Sequence, residues 1–279
     1  MNSIADQMLT IYVFVDDFLT AHPNLANWRR SNNDQPQFTD AEVITLGLLQ
    51  GCLGVASLKQ TYRLVKNNWR DAFPKLPCYA QWLARLHQVS FLLAHLWWEA
   101  LRHHKMPGCL YLVDSKPIPV CKSIRQGRVR LMRPEGAYFG KSSTGWFFGF
   151  KLHTLVHHRG VILAAMLTGG NCADKDADVM QEMVSWAAGG TVLADMGYRD
   201  QDLVALLEAE YGGVVINPAQ AGKKRALISS LRERIETTYS SLWHRFVDRV
   251  FSRSFPGLWS AIQLKILHFN LCQTGMLVC

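Results

Sequence analysis

The amino-acid sequence predicts a mixed α/β sheet with flanking helices, preceded by an α-helical N-terminal domain. Three observations support this fold class. Apolar residues recur at helical spacing through the first 105 residues, short continuous apolar runs follow Pro107 and Gly108, and stretches of helical period separate the later runs. We therefore divide the chain into an N-terminal domain at residues 1–106 and a second domain at residues 107–279.

The helical domain carries recognisable helix-start signals. Thr39 and Glu42 have the spacing of a capping box, and Phe38 before them is positioned for a hydrophobic staple. Ser57 repeats the capping signal. Residues 79–104 then place apolar side chains at helical spacing, so three or more helices are expected before residue 105; these side chains are Trp82, Leu83, Leu86, Val89, Leu92 and Leu93.

The second domain alternates between strand and helix patterns. A short apolar run that begins at Cys109 ends abruptly at Asp114, and a later one ends at Asp195. Between them, two apolar runs joined by a three-residue turn predict an antiparallel pair. The expected order is strand 109–113, strand 146–157, strand 161–167, helix 174–186, strand 191–194, helix 203–211, strand 213–216 and a long helix from residue 229.

Composition narrows the class of partner. The 279 residues are 49% hydrophobic and 19% charged, which is typical of a folded globular chain. Thirty Lys and Arg against 22 Asp and Glu leave a net charge of +8, which favours nucleic acid as a partner. Seven cysteines without a C-x-x-C pair suggest neither a disulfide framework nor a zinc finger. We expect a cytoplasmic protein without a signal peptide or membrane span.

Three acidic residues are candidates for a common site. Asp114 and Asp195 each follow a predicted strand, and parallel strands present their carboxyl ends at the same edge of a sheet. Glu236 borders the apolar stripe of the last predicted helix. The alternatives are structural: an aspartate after a strand often caps a turn or helix, and Arg232 has the i, i+4 spacing of a surface ion pair with Glu236.

Four segments in this order resemble the DDE transposases of bacterial insertion sequences, most closely the nine-eighty-two group. The resemblance covers most of the chain. The segments are residues 113–121 (VDSKPIPVC), Tyr138-Phe139-Gly140 through residues 149–153 (GFKLH), residues 195–198 (DMGY), and Arg232 with residues 234–237 (RIET).

The resemblance implies a ribonuclease-H-like catalytic domain with Asp114, Asp195 and Glu236 as its catalytic and metal-binding triad. Such enzymes cleave and join DNA strands by metal-dependent phosphoryl transfer. Two metal ions are expected, one to activate the attacking oxygen and one to stabilise the leaving oxygen. Mg²⁺ is the expected metal because hard cations prefer carboxylate oxygens, and Mn²⁺ is expected to substitute. His153 is a candidate for a supporting position near the site.

Basic residues surround the proposed site. Residues 122–141 contain six cations and a single acid, Glu135, and we interpret them as a flexible basic hairpin that follows a phosphate backbone. The alternative is a solvated loop. Trp146 and Trp243 are expected in the core. The residues predicted to bind DNA are Lys122, Arg125, Arg128, Arg130, Arg133, Lys141, Lys151 and Arg232.

The sequence therefore predicts a DNA transposase that acts on the terminal inverted repeats of an insertion sequence and on target DNA, in the bacterial cytoplasm and associated with the nucleoid. A dimer or higher oligomer on DNA is expected, since two DNA ends must meet. The N-terminal helices are candidates for DNA-end binding or for protein contact. The rival functions are a nuclease of the same fold and a non-catalytic DNA-binding regulator.

Overall fold

The structure is a computed structural model of the chain. The residues that it describes are 3–29, 36–102, 110–121, 125, 127–142, 145–173, 176–187, 189–193, 205, 209–210, 214–216, 233, 237, 240 and 252–278. They group into two compact units, which are described separately: Met1–Ala100 with Pro256–Cys279, and Leu101–Trp243 with Phe251–Phe255. The predicted domain boundary between residues 106 and 107 remains a prediction, because the two units are defined by their internal packing and not by function.

The first unit is helical, in agreement with the apolar spacing of its sequence. The capping signals lie where the sequence predicted them: the Thr39 hydroxyl accepts a hydrogen bond from the Glu42 amide at 3.2 Å, and the Ser57 hydroxyl accepts one from Gln60 at 3.2 Å. The helices are α1 (Ile4–Ala21), α2 (Pro23–Ala26), α3 (Asp40–Cys52), α4 (Leu58–Asn68), α5 (Tyr79–Gln88) and α6 (Phe91–Leu101), with a 3₁₀ turn at Arg70–Ala72.

The C-terminal helix α8 (Phe255–Gln273) packs closely on α3, which the sequence did not predict. Gly47 and Gly51 lie one turn apart on α3. A Cβ atom at Gly51 would lie 2.1 Å from His268 Cδ2, and one at Gly47 would lie 3.0 Å from a Leu264 methyl carbon. The two glycines thus allow an approach that larger residues would block.

A buried ion cluster joins three parts of the first unit around Asp40, whose exposure is 8%. Its carboxylate accepts hydrogen bonds from Arg29 at 2.5 and 2.7 Å, from Arg85 at 2.8 Å and from the Trp28 indole at 2.9 Å. Burial by itself would raise the pKa of Asp40, but the Arg29 and Trp28 hydrogen bonds and the charge of Arg29 hold that pKa below its usual value.

The second unit contains the sheet. Its strands are β1 (Leu110–Pro119), β2 (Tyr138–Ser142), β3 (Gly145–His157), β4 (Ile162–Gly169), β5 (Thr191–Leu193) and β6 (Val214–Ile216), and α7 (Ala177–Ser185) lies between β4 and β5 in the chain. The order across the sheet is β2, β3, β1, β5, β6, and β4 pairs with β3 beside β2. β1 is antiparallel to β3 and parallel to β5. This mixed sheet confirms the predicted fold class.

One observed strand was not predicted, and two predicted helices lie largely outside the described residues. The sequence missed β2, because a glycine and two polar residues among five leave only a short apolar pattern. The predicted helix 203–211 and the long helix from residue 229 fall largely outside the described residues, although Glu233, Thr237 and Ser240 are helical.

None of the helices in the described part of the chain combines the length and the hydropathy that a membrane span requires.

Candidate active site

Asp114 lies in the middle of the central strand β1. The sequence predicted that the strand ends there, and this is wrong: β1 continues to Pro119, because its pairing with β3 runs unbroken from Tyr111 opposite His157 to Pro119 opposite Gly149. Two prolines are tolerated at this end because, among the described residues, β1 pairs beyond Leu112 only with β3. The Asp114 carboxylate is half-buried and accepts a hydrogen bond from the Ser115 amide at 2.8 Å.

The register of β1 and β3 separates the candidate residues between the two faces of the sheet. Asp114 is opposite Thr154, whereas Lys151 and His153 are opposite Pro117 and Ser115. Directly opposed residues share a face and successive residues alternate, so Lys151 and His153 lie on the other face from Asp114. The Lys151 ammonium donates to the Cys172 carbonyl at 2.8 Å, and His153 Nε2 lies 2.8 Å from the Thr168 hydroxyl.

The parallel pairing of β1 and β5 relates the two predicted aspartates. Leu110 is paired with Thr191 and Leu112 with Leu193, an offset of 81 residues. The same offset separates Asp114 from Asp195 in the sequence. Asp195 itself, like Glu236, Lys122 and Arg232, lies outside the described residues. Within the described part of the chain, no three His, Cys, Asp or Glu side chains converge as metal ligands.

The basic segment before β2 is a folded turn. Met132 and Ala137 are buried, and the Ala137 amide donates to the Met132 carbonyl at 2.9 Å. These two residues anchor the segment, so its cations lie on the outside: Arg125, Arg128, Arg130 and Arg133 are exposed, as is Lys141 on β2. We call these five residues the basic loop. None of them forms an ion pair with another described residue.

Two aromatic side chains beside the basic loop are exposed. Trp146 on β3 is 61% exposed, so the expectation that it belongs to the core is wrong, and Phe139 on β2 is 40% exposed. Trp146 lies where β3 extends past the end of its pairing with β1 at Gly149, which leaves β2 as its neighbouring strand among the described residues. An apolar run in the sequence could not reveal where that extension begins. Trp243 lies outside the described residues.

The fold and site describe a class of protein. A mixed sheet is suited to phosphoryl transfer on a polyanion when it has an aspartate on its central strand and, near its edge, exposed cations that form no ion pair with a described residue. A family model described as a transposase DDE domain matches residues 105–245. That match covers half of the chain, so the protein belongs to the DDE transposase family. No curated protein matches the chain significantly.

Proposed function

We propose that this protein cleaves and joins DNA strands at the ends of an insertion sequence, as a transposase of the nine-eighty-two group, with Asp114, Asp195 and Glu236 as its catalytic residues. The observation that carries the proposal is the shared offset of 81 residues, since a continued β1 and β5 register would pair Asp114 with Asp195. Family membership supports DNA as the substrate and transposition as the activity.

The chemistry of Asp114 suits a divalent cation. Its carboxylate is half-buried beside a backbone amide, and hard oxygen ligands of this kind are those that Mg²⁺ prefers. Asp114, Asp195 and Glu236 would hold two Mg²⁺ ions, or Mn²⁺ in their place. When bound, such ions activate the attacking oxygen and stabilise the leaving oxygen. The task of the chain's own cations is to bind and orient the DNA backbone.

The experiment that tests the activity uses DNA that carries the sequences flanking the gene, incubated with the protein and Mg²⁺. Cleavage at the ends followed by joining to target DNA is expected. Cleavage without joining would indicate a nuclease of the same fold, and binding without cleavage would indicate a regulator. Joining also requires two ends in one complex, so at least a dimer on DNA is expected, acting in the bacterial cytoplasm at the nucleoid.

We assign contacts with the DNA backbone to the basic loop, together with Lys122 and Arg232. Lys151 is not included, because it lies on the face of the sheet opposite Asp114 and donates to the Cys172 carbonyl. Replacing Arg128, Arg130 and Arg133 by Ala is expected to flatten the slope of log affinity against log salt by up to about three units, because each phosphate contact releases counterions. The measurement is duplex binding across a salt series. A matched control replaces Lys75, an exposed cation of the first unit. An unchanged slope in the triple variant would show that the loop is only solvated.

We also propose that α4 binds the DNA ends. Lys59, Arg63 and Lys66 lie one to two turns apart on its exposed face, opposite the buried residues Tyr62 and Val65. None of the three forms an ion pair with another described residue. A short connection with Gly54 in the left-handed conformation, φ 62°, joins α3 to α4, and a turn of this kind precedes the recognition helix of helix-turn-helix units.

Replacing Lys59, Arg63 and Lys66 together by Ala is expected to lower the affinity for duplex DNA and to reduce the salt slope by up to about three units. Because all three side chains are exposed, the thermal midpoint should not change. The control replaces Asp16 and Asp17, exposed acids on α1, by Asn, which removes negative charge and should not weaken binding. Equal affinities and slopes for the α4 variant and the parent would exclude α4 as a DNA contact.

A further inference from the structure

The end of the β2 and β3 hairpin presents exposed aromatic rings, to which the proposed function gives no role, next to two cations of the basic loop. Phe139 is opposite Phe148 and Lys141 is opposite Trp146, so these four side chains share one face. We call it the aromatic face. Trp146 and Phe139 are its exposed aromatic members, and Lys141 is exposed beside them.

Contacts beneath this face hold its exposed members in position. The buried Phe148 ring lies 5.1 Å from the Phe139 ring, measured between centroids, and the Arg133 guanidinium lies 5.6 Å from the centroid of Phe148. The Lys141 ammonium lies 5.9 Å from the centroid of Trp146. A cation therefore stands beside the exposed Trp146 ring, and a second stands over Phe148, the buried ring next to Phe139. Exposed rings and cations on one face attract a ligand with both a flat π surface and a negative charge.

The other face of the hairpin is covered at Gly140 and Phe147. A Cβ atom at Gly140 would lie 2.0 Å from the Gly170 carbonyl oxygen, and Phe147 is buried. Tyr138 lies on that side, opposite Gly149, and is 54% exposed. The hairpin therefore carries exposed aromatic residues on both faces. Among the described residues of the hairpin, cations lie within 6 Å of a ring centroid only on the aromatic face.

We propose that the aromatic face binds unpaired nucleotides of DNA, with bases stacked on Trp146 and Phe139 and phosphates next to Lys141 and Arg133. Bases within an intact duplex are covered by their neighbours, so an exposed indole can stack only on a base that is unpaired or at an end. A second copy of the same face is disfavoured, because a two-fold contact would bring Lys141 and Arg133 against the same cations. The proposal rests on DNA being the substrate, as the proposed function requires.

The test compares single-stranded and duplex DNA in the absence of divalent metal. Fluorescence anisotropy of a labelled oligothymidylate and of a labelled duplex is measured with the full chain. Trp146→Ala is expected to weaken oligothymidylate binding about 5- to 100-fold, since one stacked base is lost, and to change duplex binding little. Trp146→Phe should retain most of the affinity because an aromatic ring remains. Tyr138→Ala, the matched control on the other face, should bind both DNAs like the parent.

Several outcomes would overturn the proposal. These are equal losses on both DNAs, no loss in Trp146→Ala, an equal loss in Tyr138→Ala, or a parent protein that does not bind oligothymidylate. A self-association that sedimentation detects in the parent and not in Trp146→Ala would instead assign the face to a protein contact. Binding is measured without metal, so this test does not depend on whether the catalytic residues are assigned correctly. Asp114→Asn should bind oligothymidylate normally whether or not it cleaves DNA.

Discussion

Asp114→Asn is expected to reduce strand cleavage by on the order of 10³-fold or more, because the substitution removes a charged oxygen ligand from the site where the reaction occurs. Binding to the DNA ends should be largely unchanged, since Asp114 is half-buried on β1 and the exposed cations lie on the basic loop and α4. Asp195→Asn and Glu236→Gln should have the same effect. The measurement is cleavage of end-containing DNA with Mg²⁺, beside a binding assay.

A second readout separates a metal ligand from a residue needed only for folding. Mg²⁺ should raise the thermal midpoint of the parent, because a ligand that binds only the folded state stabilises it, and this increase should disappear in Asp114→Asn. Asp178→Asn is the matched control, since Asp178 is an exposed acid in the first turn of α7. Cleavage at the parent rate by Asp114→Asn, or equal Mg²⁺ shifts in both proteins, would remove Asp114 from the site.

Asp40→Ala is expected to lower the free energy of unfolding by about 3 kcal/mol, because it leaves the largely buried guanidinium groups of Arg29 and Arg85 without their carboxylate. The Trp28 indole loses its acceptor in the same variant. Urea unfolding at neutral pH measures the change. Asp17→Asn, an exposed acid on α1, is the control and should change the free energy of unfolding by less than about 0.5 kcal/mol.

The contribution of Asp40 should depend on pH with a defined sign. The pKa of Asp40 is lower in the folded protein than in the unfolded chain, so its stabilising effect is complete above the ordinary aspartate value of about 3.9. The effect is lost as the pH falls through the lower pKa of the folded state. The difference in unfolding free energy between the parent and Asp40→Ala should therefore shrink in this acidic range. A difference that stays constant below pH 4, or is below about 1 kcal/mol at neutral pH, would contradict the assigned ion cluster.

The local elements could be predicted because their signals lie within a few residues of one another. The capping oxygens of Thr39 and Ser57 bond to amides three residues later, so the starts of α3 and α4 are readable from the chain alone. The antiparallel β3 and β4 pair, whose connection has four residues where the sequence predicted three, was predictable for the same reason. The strand that leads to Asp114 was predicted, but its length was not, since its continuation depends on pairing with β3 residues at least thirty positions away.

By itself the sequence determined the fold class, the starts of α3 and α4, the order of most strands along the chain and the three acidic candidates, because periodicity, capping and residue chemistry are local properties. Only the tertiary structure decided which faces those residues occupy. The β1 and β3 register put Lys151 and His153 on the face opposite Asp114, the fold buried Asp40 between two arginines, and the hairpin carried Trp146 past β1 into solvent. Each of these outcomes depends on contacts between segments distant in the chain, which no local pattern encodes.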